Sequence, residues 1–469
     1  MKKFFVNIIG VSALALAVLS GGCRRYEPAA YNQDYEEEET TKIEPKTAAE
    51  TAETITEEIS AIPKDSRKAV RVKGIYLGAK VLNNPEFMNE VYRQLDETEL
   101  NAVVIDIKDD NGRVTCDMNI PLVDELGAEN GDIPDIMAVM QELKKRDIYC
   151  IARIVALKDP FIAEKKPEWS LHKADGSLFR DNKGDAWVNP YKQEYWDYLL
   201  DISKNAIEIG FDEIQFDYIR FCTERGIDEV VYDEQDTLGR DKISIITELV
   251  SYLSDSLRLE GTFVSCDVFG TIIGSPIDAR SVGQSYNQMV EAIDYICPMI
   301  YPSHYSSGNF GLEYPDKDPY ACILGALKLS RKELQKTAED GINQAVVRPW
   351  LQSFTASYLG EGNYMVYDGK AVRDQIKAVY DSGYDEWILW SASANYFYEG
   401  LISDSEALAE DQEIAEKREA QKIEEEKKTD ELPDELKQAL EGEELSESDQ
   451  EILLEDGPIV AYEESEAIQ

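Results

Sequence analysis

Between residues 70 and 391 the chain alternates short apolar, β-branched runs with longer stretches whose apolar residues recur every three to four positions. The first pattern is that of buried strands, the second that of amphipathic helices. Strands are predicted over 70–79, 101–108, 148–157, 211–218, 262–269, 295–301, 345–352 and 386–391. Helices are predicted between them over 85–96, 133–146, 191–209, 242–259, 283–293, 320–339 and 370–382. A hairpin is expected at 112–117, and an insertion, 158–190, follows the third strand. Eight nearly even strand–helix units predict a (β/α)8 TIM barrel, a fold of about 200 to over 400 residues. An open doubly wound sheet is the alternative, and the evenness of the units favours closure.

The ends of the chain are of another kind. Lys2 and Lys3 precede an apolar run, 4–19, that closes on Ser20, Gly21 and Gly22 before Cys23. Charge, apolar segment and small residues, in that order, make an export signal. The run is short of the roughly 20 apolar residues of a spanning helix. Around Cys23 the chain resembles a bacterial lipobox, whose cysteine is lipidated and becomes the mature N-terminus; Ser20 stands where Leu is usual. Residues 1–23 are therefore expected to be a lipoprotein signal peptide, with the protein exported and held at the cell surface by a membrane anchor on Cys23. Residues 24–69, with the acidic run 36–39, lack apolar periodicity and are expected to be a disordered tether. Residues 70–400 form the barrel. Residues 401–469 form an acidic tail, helical over 407–428, that the barrel does not need.

Charge and rare residues narrow the chemistry. The 469-residue chain has 93 acidic and 48 basic residues, a net charge of -45. A nucleic-acid binder needs the opposite sign to displace counterions from phosphate. The tail from 401 holds 25 of the acids against 6 basic residues, whereas all six Trp fall within 70–400. Two histidines, His172 and His304, are too few for a multi-His metal site. Neither a three-Cys cluster motif nor a GxSxG elbow occurs. The run Asp109-Asp110-Asn111-Gly112 lacks the alternate spacing of a Ca²⁺ loop and reads as a turn. No cofactor and no metal is expected. Cys150, Cys266 and Cys297 lie within apolar strands, so few or no disulfides are expected.

In a barrel the chemistry sits at the C-terminal ends of the strands, and alternate residues of a strand share a face. Strand two offers Asp106 and Lys108, strand three Arg153, strand four Gln215 and Asp217 with Arg220 just beyond. Strand five ends in Asp267, strand six in Tyr301 with His304 behind it. Strand seven carries Arg348, Trp350 and Gln352, and strand eight Trp390. Buried without partners, such groups cost several kcal/mol each. They must pair with one another, as in a structural ring Asp106–Lys108–Arg153, or face a wet cleft. Carboxylates on adjacent strands suit glycoside cleavage: one protonates the leaving oxygen, the other attacks the anomeric carbon or activates water. Asp217 and Asp267 are the candidate catalytic pair, with Arg153 or Arg220 holding one of them ionised. Asp106, Lys108, Arg153, Trp187, Gln215, Arg220, Tyr301, His304, Arg348, Trp350, Gln352 and Trp390 are the candidate substrate-binding set.

The runs ELNAVVIDIKDDNGRVT, IARIVALKDP, WVNPY, GFDEIQFDYIRF, SCDVFG, ICPMIYPSHY, RPWLQSF and EWILWSAS resemble a bacterial glycoside hydrolase domain family that is grouped with α-amylase-like barrels. The resemblance spans about residues 70–400. It implies a carbohydrate substrate, a strand-four nucleophile at Asp217 and a strand-five proton donor at Asp267. Amylase-like enzymes usually place Glu at the second position and His on strands three and seven, where this chain has Arg153 and Arg348. The competing expectation is a carbohydrate-binding or envelope-interaction lipoprotein on a barrel that has lost catalysis.

Overall fold

The eight strand runs fold as β1 (Lys73–Leu77), β2 (Ala102–Lys108), β3 (Tyr149–Val155), β4 (Glu213–Asp217), β5 (Phe263–Phe269), β6 (Tyr295–Met299), β7 (Val346–Val347 and Trp350–Gln352) and β8 (Trp387–Trp390). The structure is a computed structural model and describes residues 67–338 and 344–430, with side chains to 423. The signal segment with Cys23, the tether up to 66 and the tail beyond 430 lie outside the described residues. Each strand pairs in parallel with the next in chain order. The circle closes where β8 pairs with both β7 and β1. This is the closed (β/α)8 barrel. In β7, Pro349 has no N–H to give to a ladder, and the strand is interrupted there.

Helices α1 (Pro85–Glu97), α2 (Ile136–Lys144), α3 (Gln193–Ile209), α4 (Lys242–Leu259), α5 (Tyr286–Ala292), α6 (Pro319–Ala338) and α7 (Gly369–Asp381) cover the outside. Their starts are written locally. Asn84 accepts from the amides of Glu86 and Phe87 ahead of Pro85, and Asp241 accepts from that of Ser244. The expected helix over 133–146 runs over 136–144, and its start is fixed by Asp135, after Pro134, which caps α2 through the Ala138 amide. Strand alternation divides two cores. Cys150, Ala152 and Ile154 face the helices. Val104, Ile151, Cys297, Trp350 and Ile388 fill the barrel interior.

Three features depart from the sequence reading. The expected hairpin at 112–117 is a turn with isolated bridges from Val114 to Lys108 and Glu129, followed by an unanticipated short helix, Pro121–Leu126. The insertion after β3 builds a small rim layer. Its strand His172–Lys173 pairs antiparallel with Val230–Val231, over a satellite core of Leu171, Phe179, Trp187 and Cys222. The first part of the acidic tail is docked: α8 (Asp404–Asp430) buries Ala407. Its Arg418 bonds Asp385 and the carbonyls of Tyr380 and Tyr384, and its Glu410 pairs with Arg373. All six cysteines among the described residues are buried free thiols.

Candidate active site

Asp217 is the last residue of β4 and Asp267 lies near the end of β5. Phe216 pairs with Cys266 across the two strands, so the next residue on each side, Asp217 and Asp267, stand alongside one another. Both are nearly buried, at 7% and 2% exposure. Their environments differ. One oxygen of Asp217 takes two hydrogen bonds from Arg153, from Nε at 2.9 Å and Nη2 at 2.5 Å. The other accepts the Tyr218 amide at 2.6 Å. Tyr218 adopts φ +49°, a conformation that costs a non-glycine residue energy. Asp267 accepts a neutral donor, the Trp350 indole N–H, at 2.6 Å. Burial, and then the neighbouring Asp217 charge, hold the Asp267 carboxyl well above the usual carboxylate range. After burial, the same two carboxylates raise the Tyr301 phenol, which feels both of their charges.

Arg153 is the hub. Only 1% exposed, it donates to Asp106 at 2.7 Å and to Asp110 at 3.3 Å as well as to Asp217. A guanidinium therefore fills the centre on which three carboxylates converge. Asp106 also accepts the Tyr76 hydroxyl at 2.5 Å. Burial pushes Asp106 up to about 6, against the pull of Arg153 and the hydrogen bond from Tyr76. Tyr76 packs on Trp390 at 4.3 Å between ring centroids, and Trp390 meets Trp350 edge-on at 5.6 Å. An aromatic wall thus runs from Asp106 to Asp267.

Other candidates fall elsewhere. Lys108 does not join Asp106. The β2–β3 register shifts between these two residues, and the fully buried Lys108 pairs with Asp159 at 2.8 Å and the Val155 carbonyl at 2.7 Å, beside Tyr195 of the helix layer. The ring Asp106–Lys108–Arg153 is therefore not formed. Arg348 is at the opposite end of the barrel. It bonds Glu213, the first residue of β4, at 2.8 Å and Glu386 at 2.8 Å, over the ring of Tyr295. It cannot touch a substrate that meets Asp217. Gln215 is wholly buried one layer below the pair, donating to the Cys297 sulfur at 3.4 Å. Gln352, also wholly buried, accepts from Ser303 and donates to Asp316, tying two loops together. Trp187 donates to Asp181 at 3.0 Å within the rim layer. His304 packs edge-on against Tyr301 at 5.0 Å. Arg220 does not pair with Asp217; its guanidinium lies among the rings of Phe269, Tyr218 and Trp187.

The structure thus brings together Asp106, Arg153, Asp217, Asp267, Tyr301, Trp350 and Trp390. It adds Tyr76, Asp110, Tyr218 and Lys158, whose ammonium stands 4.9 Å from the Tyr218 ring. Tyr76 was legible in principle: it sits at the C-terminal end of β1, where a scan for charges passes over a phenol.

A closed parallel barrel with a buried carboxylate pair at the C-terminal ends of neighbouring strands defines the class. A family model described as "Putative glycosyl hydrolase domain" matches residues 74–396, and the chain belongs to that family. Among solved structures, a hypothetical protein from Ruminiclostridium thermocellum ATCC 27405 is 37% identical over 41% of this chain and 97% of its own, with a TM-score of 0.39. The PgaB (BpsB) glycoside hydrolase domain from Bordetella bronchiseptica is 12% identical over 70% of this chain and 95% of its own, with a TM-score of 0.49. Alpha-L-fucosidase isoenzyme 2 from Paenibacillus thiaminolyticus is 13% identical over 70% and 48%, with a TM-score of 0.45. None of the curated proteins matches the chain.

Proposed function

We propose that the protein hydrolyses glycosidic bonds, with Asp267 as proton donor and Asp217 as the carboxylate that attacks the anomeric carbon or activates water. The observation that carries this is the unlike setting of two adjacent carboxyls. A buried acid held protonated can give its proton to a leaving oxygen, whereas a carboxylate locked to Arg153 supplies negative charge to an oxocarbenium-like transition state. Family membership supports the reaction class. Asp106 and Tyr76 act through Arg153 and orient Asp217. Trp390, which is only partly buried, offers aromatic surface to a sugar face.

The test is turnover on a broad glycan panel by the wild type, Asp217→Asn and Asp267→Asn. Asp217→Asn should lose several orders of magnitude in kcat with KM nearly unchanged. Asp267→Asn should be least impaired on aryl glycosides whose leaving group needs no proton. Binding without cleavage across the panel would replace this reading with that of a carbohydrate-binding lipoprotein. We also propose export and membrane anchoring through Cys23, supported by the Gly21-Gly22-Cys23 signal. Cys23→Ala should leave the precursor unprocessed or release the protein, and mass spectrometry of the mature N-terminus decides.

A further inference from the structure

We infer that Arg220 is an anion receptor of the substrate cleft, and that the glycan taken there carries a carboxylate, sulfate or phosphate on a sugar next to the scissile bond. The inference rests on the hydrolase reading and adds the substrate class to it.

Three arginines approach the barrel interior, and two are ion-paired with acids. Arg153 holds three carboxylates and Arg348 two. Arg220 is also buried, at 7% exposure against 1% for Arg153 and 0% for Arg348. Its hydrogen bond is to the carbonyl of the adjoining Phe221, at 3.1 Å, and no carboxylate among the described residues pairs with it. Scarcity of acid does not explain this, since the chain has 93 acidic residues against 48 basic ones. What surrounds the guanidinium is aromatic: Phe269 at 4.6 Å, Tyr218 at 5.1 Å and Trp187 at 5.4 Å from the ring centres. Cation–π attraction holds the charge in place. It does not satisfy the N–H edges of a five-donor fork, which are left free to meet an acceptor from the cleft.

The position points to substrate. Arg220 follows Asp217 by three residues, Tyr218 adjoins Asp217, and Phe269 follows Asp267 by two. The guanidinium therefore lies over the ends of the two strands that carry the proposed catalytic pair. Lys158, half-exposed beside the same Tyr218 ring, also has no ion-pair partner within 4 Å among the described residues, although Asp110 feels its charge. A planar fork with aromatic walls matches a planar carboxylate or a tetrahedral oxyanion. A neutral sugar would leave the cation uncompensated.

The experiment is calorimetric binding to the full chain bearing Asp267→Asn, which stops cleavage, at low and high salt. The probes are matched pairs: an oligogalacturonate and its methyl ester, a sulfated oligosaccharide and its desulfated form, and a glycerol-phosphate-bearing oligosaccharide and its unsubstituted form. The charged member of at least one pair should bind about 10- to 100-fold tighter, the range of a charge-assisted hydrogen bond, and the preferred pair identifies the anion. Adding Arg220→Gln should abolish the preference, and Arg220→Lys should restore part of it. Equal binding within all three pairs overturns the inference, as does a preference that survives Arg220→Gln. The paired comparison needs no substitution at Arg220, so a misfolded variant cannot hide the answer. Cleavage of neutral glycans by the wild type without any charge preference overturns the receptor and leaves the hydrolase. A charge preference without cleavage does the reverse.

Discussion

Replacing Arg153 by Met should destabilise the protein strongly at neutral pH and much less in acid. Methionine keeps the apolar bulk of the side chain but removes the charge that Asp106 and Asp217 share. Removing one partner of a buried ion pair costs about 3–5 kcal/mol, because the other charge stays buried without compensation. The pH dependence follows from Asp106. Its carboxyl ordinarily titrates at 3.8, and burial raises it to about 6 in the folded protein. A raised carboxyl adds stability that is fully present below about 3.8 and lost as pH rises through about 6, a span worth about 3 kcal/mol. Without Arg153 the pull that opposes burial is gone, so Asp106 moves higher still. The unfolding free energy of Arg153→Met, from urea titrations followed by tryptophan fluorescence and circular dichroism, should fall about 3–5 kcal/mol below wild type near pH 7.5. At about pH 5 the gap should close by at least about 1 kcal/mol, since protonated carboxyls no longer need a counter-charge. A loss under about 1 kcal/mol at both pH values would refute the hub, and an equal large loss at both would show that the carboxylates are not what Arg153 compensates.

Trp350→Phe removes the indole donor that holds Asp267 down, so the alkaline limb of kcat/KM should move to higher pH while the maximum falls; a pH–rate profile on the best glycan reads both. Lys108→Met leaves Asp159 buried without its cation, and should cost about 3–5 kcal/mol of stability in urea titrations while kcat and KM of the folded fraction stay near wild type. Truncation after residue 430 should leave the melting temperature unchanged, whereas truncation after 403 should lower it by several degrees, because α8 is fastened through Ala407, Glu410 and Arg418.

The barrel was legible because its signal is local and repeated. Eight buried runs, each followed by an amphipathic stretch, leave little room for another topology, and α4 begins and ends at 242 and 259 as the periodicity predicts. The docking of α8 was not legible, because a helix of Glu, Lys and Ala shows no apolar stripe and is held mainly by ion pairs to residues far away in sequence. The site was legible in part, and the errors share one physical origin. Period two tells which face of a strand a residue occupies. It does not tell how high the residue sits along the barrel axis. That height is set by stagger between strands, which is a property of the whole closed sheet. Arg348, Trp350 and Gln352 share the period on β7, yet Arg348 meets Glu213 at the start of β4, Trp350 meets Asp267, and Gln352 is fastened to Ser303 and Asp316 in the loops beyond.

Height along the barrel axis divides the charged residues of the strands into two groups. Asp106, Arg153, Asp217 and Asp267 gather at the C-terminal end of the barrel. Glu213, Arg348 and Glu386 close the other end with no substrate to meet. Asp217 and Asp267 were recoverable from sequence because each stands within two residues of its strand's C-terminal limit, where face and height are both specified. Lys108 had the same position on β2 and still went astray, since a single register shift was enough to turn it out of the lumen and into the helix layer. In a parallel barrel, then, a polar residue at a strand end is evidence for a site only when its neighbours on both sides keep register with it. Asp217 has one such neighbour in Val155 of β3 and, through Phe216 and Cys266, another in β5, which is the physical reason that its carboxyl and that of Asp267 stand side by side at the ends of strands four and five.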